Sequence, residues 1–433
     1  TDSWTYAPAG LNAALMTGRA YVLQVRAVDR AGNVQSVFED EVSSLTFVCD
    51  KSSPTTTITV PAHNTRYKPA DLTSFSGTGA DDLLPFAPEQ LNKVQYNLSY
   101  LHEGVTWYWT GSDFSDSGTE ESAWANVLGT ENWTKSFTGT WVSDRQYTFM
   151  TRAFDKAEPV GANGGNMQDP PTISTFVVDG TPPVSRVSTP AAGAFIPGDI
   201  SQISGTSFAG ISGLSELKLK VYFSTGTGAD TWYWGGTGWS SGSVVAMDMG
   251  FSVSAGTITW NYAGSPVTIS TNNQVYYMSI AGLDLAGNQE TVVESSVRSD
   301  FNYPTVSIST PMAGAYGFYS GVRPITTMRG NAYDTISDIV PPLKAQLSRM
   351  LPSRNVEAMW DGTDWGSYTS TYVAVNSISP WDMTTPQLLV NKRYSVEMLS
   401  VDNAGNATPT GGGAGSVYGD FIYDVNAPTS SIA

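Results

Sequence analysis

Three heptapeptides in this chain are near-copies of one another: AVDRAGN at 27–33, GLDLAGN at 282–288 and SVDNAGN at 400–406. Either a site or a fold is being repeated, and the flanking residues decide which. Tyr21, Tyr147, Tyr276 and Tyr394 each stand eight residues before an aspartate, namely Asp29, Asp155, Asp284 and Asp402. Those aspartates recur at intervals of 126, 129 and 118 residues. An interval of that length holds a whole domain, whereas a solenoid repeats every ~20–50 residues. The 433 residues therefore read as successive, independently packed units.

Between each tyrosine and its aspartate the side chains alternate, as in Tyr21, Leu23, Val25, Ala27 and in Tyr147, Phe149, Thr151, Ala153. Period two is the signature of a strand. The following D-x-A-G-N predicts a hairpin turn, because Asp accepts backbone N–H bonds at a turn's first position and Gly adopts the left-handed conformation. The second copy departs from this: Asp155-Lys156-Ala157-Glu158 is followed by the insertion PVGANGGNMQD. A further strand is expected to close each unit at Phe47, Phe176, Phe301 and Phe421.

Three of those phenylalanines begin the spacing F-x-x-D-x-x-x-P: Phe47, Asp50, Pro54; Phe176, Asp179, Pro183; Phe421, Asp424, Pro428. The proline opens a Thr/Ser/Val/Ile stretch that reads as the first strand of the next unit. After Phe301 come Asn302, Tyr303 and Pro304, so this third joint is expected to be four residues shorter and to lack the aspartate. Mid-unit, W-x-G-x-x-aromatic recurs as Trp109, Gly111, Phe114; Trp234, Gly236, Trp239; and Trp360, Gly362, Trp365. With Thr110-Gly111, Gly235-Gly236 and Asp361-Gly362 as two-residue turns, the cross-strand pairs are Trp107 with Phe114, Trp232 with Trp239 and Ala358 with Trp365. Upstream lie alternating strands such as Val94, Tyr96, Leu98 and Leu343, Ala345, Leu347, and downstream stands one more tryptophan, Trp133, Trp260 or Trp381, with Trp4 in the partial first unit.

Seven or eight short strands in roughly 120 residues, with a tyrosine opening the penultimate strand, predict a two-sheet sandwich. The fold class is all-β, a tandem array of immunoglobulin-like Greek-key β-sandwiches. The expected organisation is the C-terminal half of a repeat at 1–53, whole repeats at 54–182, 183–303 and 304–427, and the first strand of a following repeat at 428–433. A segment of a longer array is the expectation. Through Tyr21 to Asn33 with Phe47 and Asp50, Tyr276 to Asn288, and Tyr394 to Asn406 with Phe421 and Asp424, the chain resembles the tandem immunoglobulin-like or fibronectin type III-like repeats of large bacterial cell-surface and adhesin proteins. That resemblance implies an extracellular or cell-surface, prokaryotic protein. Some members of that family bind calcium between domains.

The net charge of −17 opposes nucleic acid and anionic membranes, so neither nucleic-acid binding nor membrane insertion is expected, and cations are better partners. No apolar run of about 18 residues is present. Cys49 is the single cysteine, which excludes an internal disulfide framework and reads as a small buried hydrophobe. With only His63 and His102, a catalytic base is not expected. Gly238-Trp239-Ser240-Ser241-Gly242 imitates a hydrolase nucleophile motif, but it sits beside a hairpin with both histidines upstream. No enzyme activity is expected. Calcium is the expected cofactor if there is one, with Asp50, Asp179 and Asp424 joined by loop carboxylates such as Asp81, Asp82 or Asp334. The alternative is that each linker aspartate is an ordinary turn former. Matched tryptophans once per domain read as core or cross-strand pairs rather than a sugar platform. Asn97, Asn132 and Asn406 match the glycosylation pattern.

These readings converge on a structural element: a rod, filament or surface-layer component, made semi-rigid by short proline-bearing linkers. Its partners would be like subunits or neighbouring repeats of a longer chain. The runner-up is an adhesin that binds glycans or cell surfaces through loops and Trp-containing hairpins. An accessory module of a hydrolase is the third class.

Overall fold

A computed structural model describes residues 3–81, 91–157, 165–226, 230–254, 257–311, 317–319, 325–367, 369–410, 417–424, 426 and 429–431. Asp82, Pro428 and most of the insertion after Asp155 lie outside them. The chain divides into two compact units: Thr1–Pro183 with Phe208–Ser215 and Gly282–Glu290, and Val184–Ser207 with Glu216–Ala281 and Thr291–Ala433.

In the first unit, residues 55–178 form a two-sheet sandwich. One sheet runs Asn132–Ser136, Ser74–Ala80, Thr55–Val60; the other runs Thr65–Tyr67, Thr172–Val178, Arg145–Asp155, Leu91–His102, Val105–Trp109, Phe114–Ser115. The first strand is split between the sheets: Thr55–Val60 pairs antiparallel with Ser74–Ala80, and Thr65–Tyr67 parallel with Thr172–Val178. The crossing begins at Pro61, which has no N–H to continue the ladder. Alternation places Val94, Tyr96 and Leu98 inside, facing Phe75, Trp133 and Phe149 in one core. Residues 1–53 contribute a two-stranded sheet, Arg19–Gln24 with Ser44–Cys49, in which Tyr21 faces Phe47. Cys49 is buried there.

The sandwich over 305–423 in the second unit repeats the plan. Thr305–Thr310, Thr327–Tyr333 and Trp381–Thr384 form one sheet, and Gly317–Tyr319, Val417–Tyr423, Lys392–Leu399, Lys344–Met350, Val356–Trp360 and Trp365–Gly366 the other. The strands of 184–299 follow the same order, with Phe251–Ser254 added at the edge beside Thr257–Asn261. The all-β, immunoglobulin-like sandwich read from the sequence is the fold.

Two devices recur inside each sandwich. The downstream tryptophan is fully buried and faces a glycine on the neighbouring strand: Trp133 opposite Gly77, Trp260 opposite Gly205, Trp381 opposite Gly330. A Cβ on any of these glycines would collide with the indole and with a backbone carbonyl of the strand beyond. The second device is the recurring tyrosine. The Tyr147 hydroxyl donates to the Val142 carbonyl at 2.9 Å and accepts from the Val142 N–H at 3.0 Å. Tyr394 makes the same pair with Leu389, and Tyr21 accepts from the Met16 N–H, five residues upstream in each case. This is the tyrosine corner of such sandwiches. Burial raises the hydroxyl pKa of Tyr147, Tyr276 and Tyr394.

The hairpin register differs from the sequence-based count. Trp109 faces Phe114, Trp234 faces Trp239 and Trp360 faces Trp365. The turn closes between Thr110 N–H and the Asp113 carbonyl, between Gly235 and Gly238, and between Asp361 and Asp364. Gly111, Gly236 and Gly362 thus hold the first central position, with φ of 104°, 94° and 101°. That is the glycine placement of a type II′ turn, whereas the count assumed glycine second.

Candidate metal centres at the linker aspartates

The septet's aspartate is a clamp. Asp402 Oδ1 accepts the Ala404 and Asn406 N–H groups at 2.9 and 2.8 Å, and Oδ2 accepts the Asn406 carboxamide at 2.8 Å. Asp29 makes the equivalent bonds to Ala31 and Asn33, and Asp284 to Asn288. The Asn33 bonds hold the Asp29 carboxyl below the ordinary carboxylate range. The insertion after Asp155 leaves the clamp intact: Asp155 Oδ1 accepts from the Ala157 and Asn166 N–H groups, and Oδ2 from the Asn166 carboxamide at 2.7 Å.

The same asparagine reaches the preceding linker. The Asn288 carboxamide donates to the Asp179 carbonyl, and that of Asn406 to the Asp300 carbonyl, each at 2.9 Å. Turn and linker are therefore one device, not the two separate ones that the sequence suggests.

Asp300 corrects the third joint. Tyr276 faces Val297, as Tyr147 faces Phe176, so Val297 holds the position assigned to Phe301. Counting from Val297, Asp300 and Pro304 fall at the same spacing as Asp179 and Pro183. The joint is neither shorter nor without its aspartate. All four linker aspartates form the same local turn, with Oδ1 accepting the N–H two residues on: Ser52, Thr181, Asn302 and Asn426, at 2.9, 2.9, 3.0 and 2.9 Å. The turn-former reading is thus met by one oxygen of each, Oδ1.

A third carboxylate comes from the position four residues beyond the glycine that faces the tryptophan: Asp81 after Gly77 and Asp334 after Gly330. Asp50, Asp81 and Asp155 bring one carboxylate oxygen each within 4.8 Å of the others, as do Asp300, Asp334 and Asp402. Two oxygens bound to one Ca²⁺ at 2.3–2.6 Å lie at most about 5 Å apart, so each triad fits a single ion. Like charges at such separation repel by about 3 kcal/mol per pair at an effective dielectric of about 20. The second triad carries a further mark. Asp300 is fully buried, and its Oδ2 has no hydrogen-bond partner among the described residues. A buried orphan carboxylate oxygen is costly unless an ion or donor meets it.

Of the residues anticipated from the sequence, Asp50, Asp81 and Asp334 fall in these triads. Asp179 pairs with other groups, and Asp424 makes its local turn. Asp155, Asp300 and Asp402 were missed as ligand candidates. The glycosylation pattern at Asn97 falls on a fully buried side chain, and Asn406 is committed to the two aspartates. Trp109 and Trp234 are buried, and their aromatic partners lie at 5.2 and 5.4 Å between ring centroids.

No protein-family model and no curated protein matches the sequence. Among solved structures the chain is similar to a 1.5-MDa bacterial ice-binding adhesin described for host cell surface retention, at 14% identity over 87% of this chain and 100% of that one, with a TM-score of 0.28. It is similar to the fibronectin(III)-like modules of Clostridium thermocellum CbhA at 10% identity, over 57% and 100%, with a TM-score of 0.27. It is also similar to three N-terminal domains of the Hoc outer capsid protein of bacteriophage RB49 at 9% identity, over 87% and 100%, with a TM-score of 0.33. Tandem immunoglobulin-like and fibronectin III-like repeats are what the chain resembles.

Proposed function

We propose that this chain is a non-catalytic spacer of repeated sandwiches, outside the cell or at its surface, forming part of a stalk, filament or surface-layer element. The supporting observation is that its most repeated motif is spent on joints: Asn288 and Asn406 each tie a turn to the linker before it. A catalytic motif would instead gather reactive groups. His63 accepts the Thr175 N–H at 3.1 Å, and Ser240 lies on the edge strand Trp239–Ser241, which has no strand-to-helix elbow.

Calcium is the resident cation of this reading, held by Asp50, Asp81 and Asp155 and by Asp300, Asp334 and Asp402. It supplies charge neutralisation and fixes three chain segments to one point. Like subunits or neighbouring repeats are its partners. Small-angle scattering with and without a calcium chelator tests the spacer: an extended particle that loosens on chelation supports it, and a compact globule rejects it.

Glycan adhesion is a second reading, favoured by one observation. A cleft of about 550 Å³ beside the hairpin of the sandwich over 184–299 is lined by Gly236, Asp248, Phe251, Asn261 and Tyr262, polar and aromatic together. Binding on a glycan array, lost with Tyr262→Ala, would move the assignment from spacer to adhesin.

A further inference from the structure

The joint at Asp179 has the same plan as the joint at Asp300, but its chemistry differs. Asp179 and Asp300 are both fully buried, and each spends Oδ1 on the N–H two residues later. Their backbones are held alike, Asp179 N–H by the Tyr67 carbonyl and Asp300 N–H by the Ile196 carbonyl. Each is followed by a septet asparagine bonded to its carbonyl. The divergence starts at the third carboxylate. Four residues beyond Gly205, where the other two joints carry Asp81 and Asp334, stands Ala209, which is buried.

Three residues further on, both joints have a buried serine, Ser212 and Ser337. The Ser212 hydroxyl donates to Asp179 Oδ2. Among the described residues, Ser337 Oγ and Asp300 Oδ2 are both buried without a hydrogen-bond partner. The serine that satisfies the linker carboxylate in one joint thus leaves it open in the other, and the open one is the joint with three carboxylates.

Positive charge follows the same division. Arg66, opposite Val177, donates from Nε to the Ser212 carbonyl at 2.9 Å. Lys68 lies against the septet glycine, such that a Cβ on Gly287 would be 3.3 Å from its Cε and 3.6 Å from its Nζ. At the Asp300 joint the residue in Arg66's place, opposite Arg298, is Phe195, and two positions on is Pro197. Arg66 and Lys68 thus stand at the joint that carries Ala209 in place of the loop aspartate, where the nearby carboxylate is Asp144, and Phe195 and Pro197 hold their places where three carboxylates converge.

We infer that the joints are of two kinds: divalent cations hold those at Asp50/Asp81/Asp155 and Asp300/Asp334/Asp402, while the joint at Asp179 is cation-independent, closed by Ser212 with Arg66 and Lys68 supplying the charge. The inference rests on the calcium reading above and adds a selectivity among joints. Chelation then loosens the chain at specified linkers and leaves one intact.

Calcium titration of the whole, chelator-stripped chain by calorimetry, paired with hydrogen exchange of the linker amides, tests it. Two ions per chain are expected, falling to one with Asp300→Asn. Chelation is expected to speed exchange at the Asn302 amide by about tenfold or more and to leave the Thr181 amide unchanged. Ala209→Asp with Ser212→Ala is expected to raise the stoichiometry to three. Three ions in the unaltered chain, or loss of protection at Thr181 on chelation, overturns the cation-independent joint while the calcium reading stands. No ion bound at all overturns the calcium reading itself. A double variant that folds and still binds two ions overturns Ala209 as the missing ligand position.

Discussion

The side chain of Asn406 donates a hydrogen bond of 2.9 Å to the backbone carbonyl of Asp300, 106 positions earlier in the chain. Its other carboxamide bond goes to Asp402, within its own turn. One short side chain thus couples a hairpin to the linker before it. A sequence that repeats a turn must repeat all of it when the turn is also half of a joint.

Asn406→Ala removes both bonds and leaves the Asp402 carboxylate and the Asp300 carbonyl short of a donor. Loss of buried hydrogen bonds to a charged group costs about 1.5–3 kcal/mol. Urea unfolding is expected to show a loss of that size, together with faster exchange at the Asn302 amide. A variant within 0.5 kcal/mol of the parent, on the scale of surface substitutions, would show that the contact contributes nothing.

Gly330 permits the close approach of Trp381, whose indole N–H donates to the Ser307 carbonyl at 3.1 Å. Gly330→Ala pushes a methyl into both the ring and that strand, and overpacking of this kind costs about 1–3 kcal/mol. Gly77→Ala and Gly205→Ala are expected to behave alike, since each faces Trp133 or Trp260 in the same way. Thermal denaturation distinguishes this from Gly193→Ala, where a Cβ meets nothing within 4 Å but takes on the ordinary strain of a left-handed φ.

Alkaline stability follows from the corner tyrosines. Burial is the largest cause of their raised hydroxyl pKa, opposed by the upstream backbone bonds at Val142 and Leu389. A pKa higher in the folded than in the unfolded chain means the folded state holds the proton longer. The stability is whole below the unfolded tyrosine value near ~10 and declines as pH rises above it. Absorbance at 295 nm is expected to show Tyr147, Tyr276 and Tyr394 ionising late and together with unfolding. Reversible ionisation of all 21 tyrosines near ~10, in a folded chain, would contradict the burial.

Much of this was legible in the sequence where a residue's role is set by its own strand. Period two placed Tyr147, Phe149 and Ala153 inside, and recurrence marked Trp133, Trp260 and Trp381 as core. What was not legible depended on register between strands. Gly111 fits a hairpin at either central turn position, and only the closing bond between Thr110 and Asp113 selects one. Phe301 masked Val297 because both are apolar and close to a proline; dropping the requirement for phenylalanine exposes Val297, Asp300 and Pro304 at the common spacing. Asp155 and Asp402 were visible as turn formers, but their convergence with linker carboxylates is made by segments about a hundred residues apart.

The septet has a fourth, divided copy. Asp155, Lys156 and Ala157 stand before residues 158–164, Gly165 and Asn166 after them, and Gly165 has a left-handed φ of 80°, beside 88° at Gly32 and 91° at Gly405. Asp155 N–H donates to the Asn166 carbonyl just as Asp402 N–H donates to that of Asn406. Deleting residues 158–164 joins the halves into D-K-A-G-N, the motif's own form. Shortening a closed loop reduces its entropy cost by about 1 kcal/mol at most. The deletion is therefore expected to fold, with a urea midpoint equal to the parent's or slightly above it, and to keep any calcium bound through Asp155. A destabilisation of more than about 3 kcal/mol, the range of a lost core contact, would mean that the inserted residues, and not the clamp between Asp155 and Asn166, hold this corner of the sandwich.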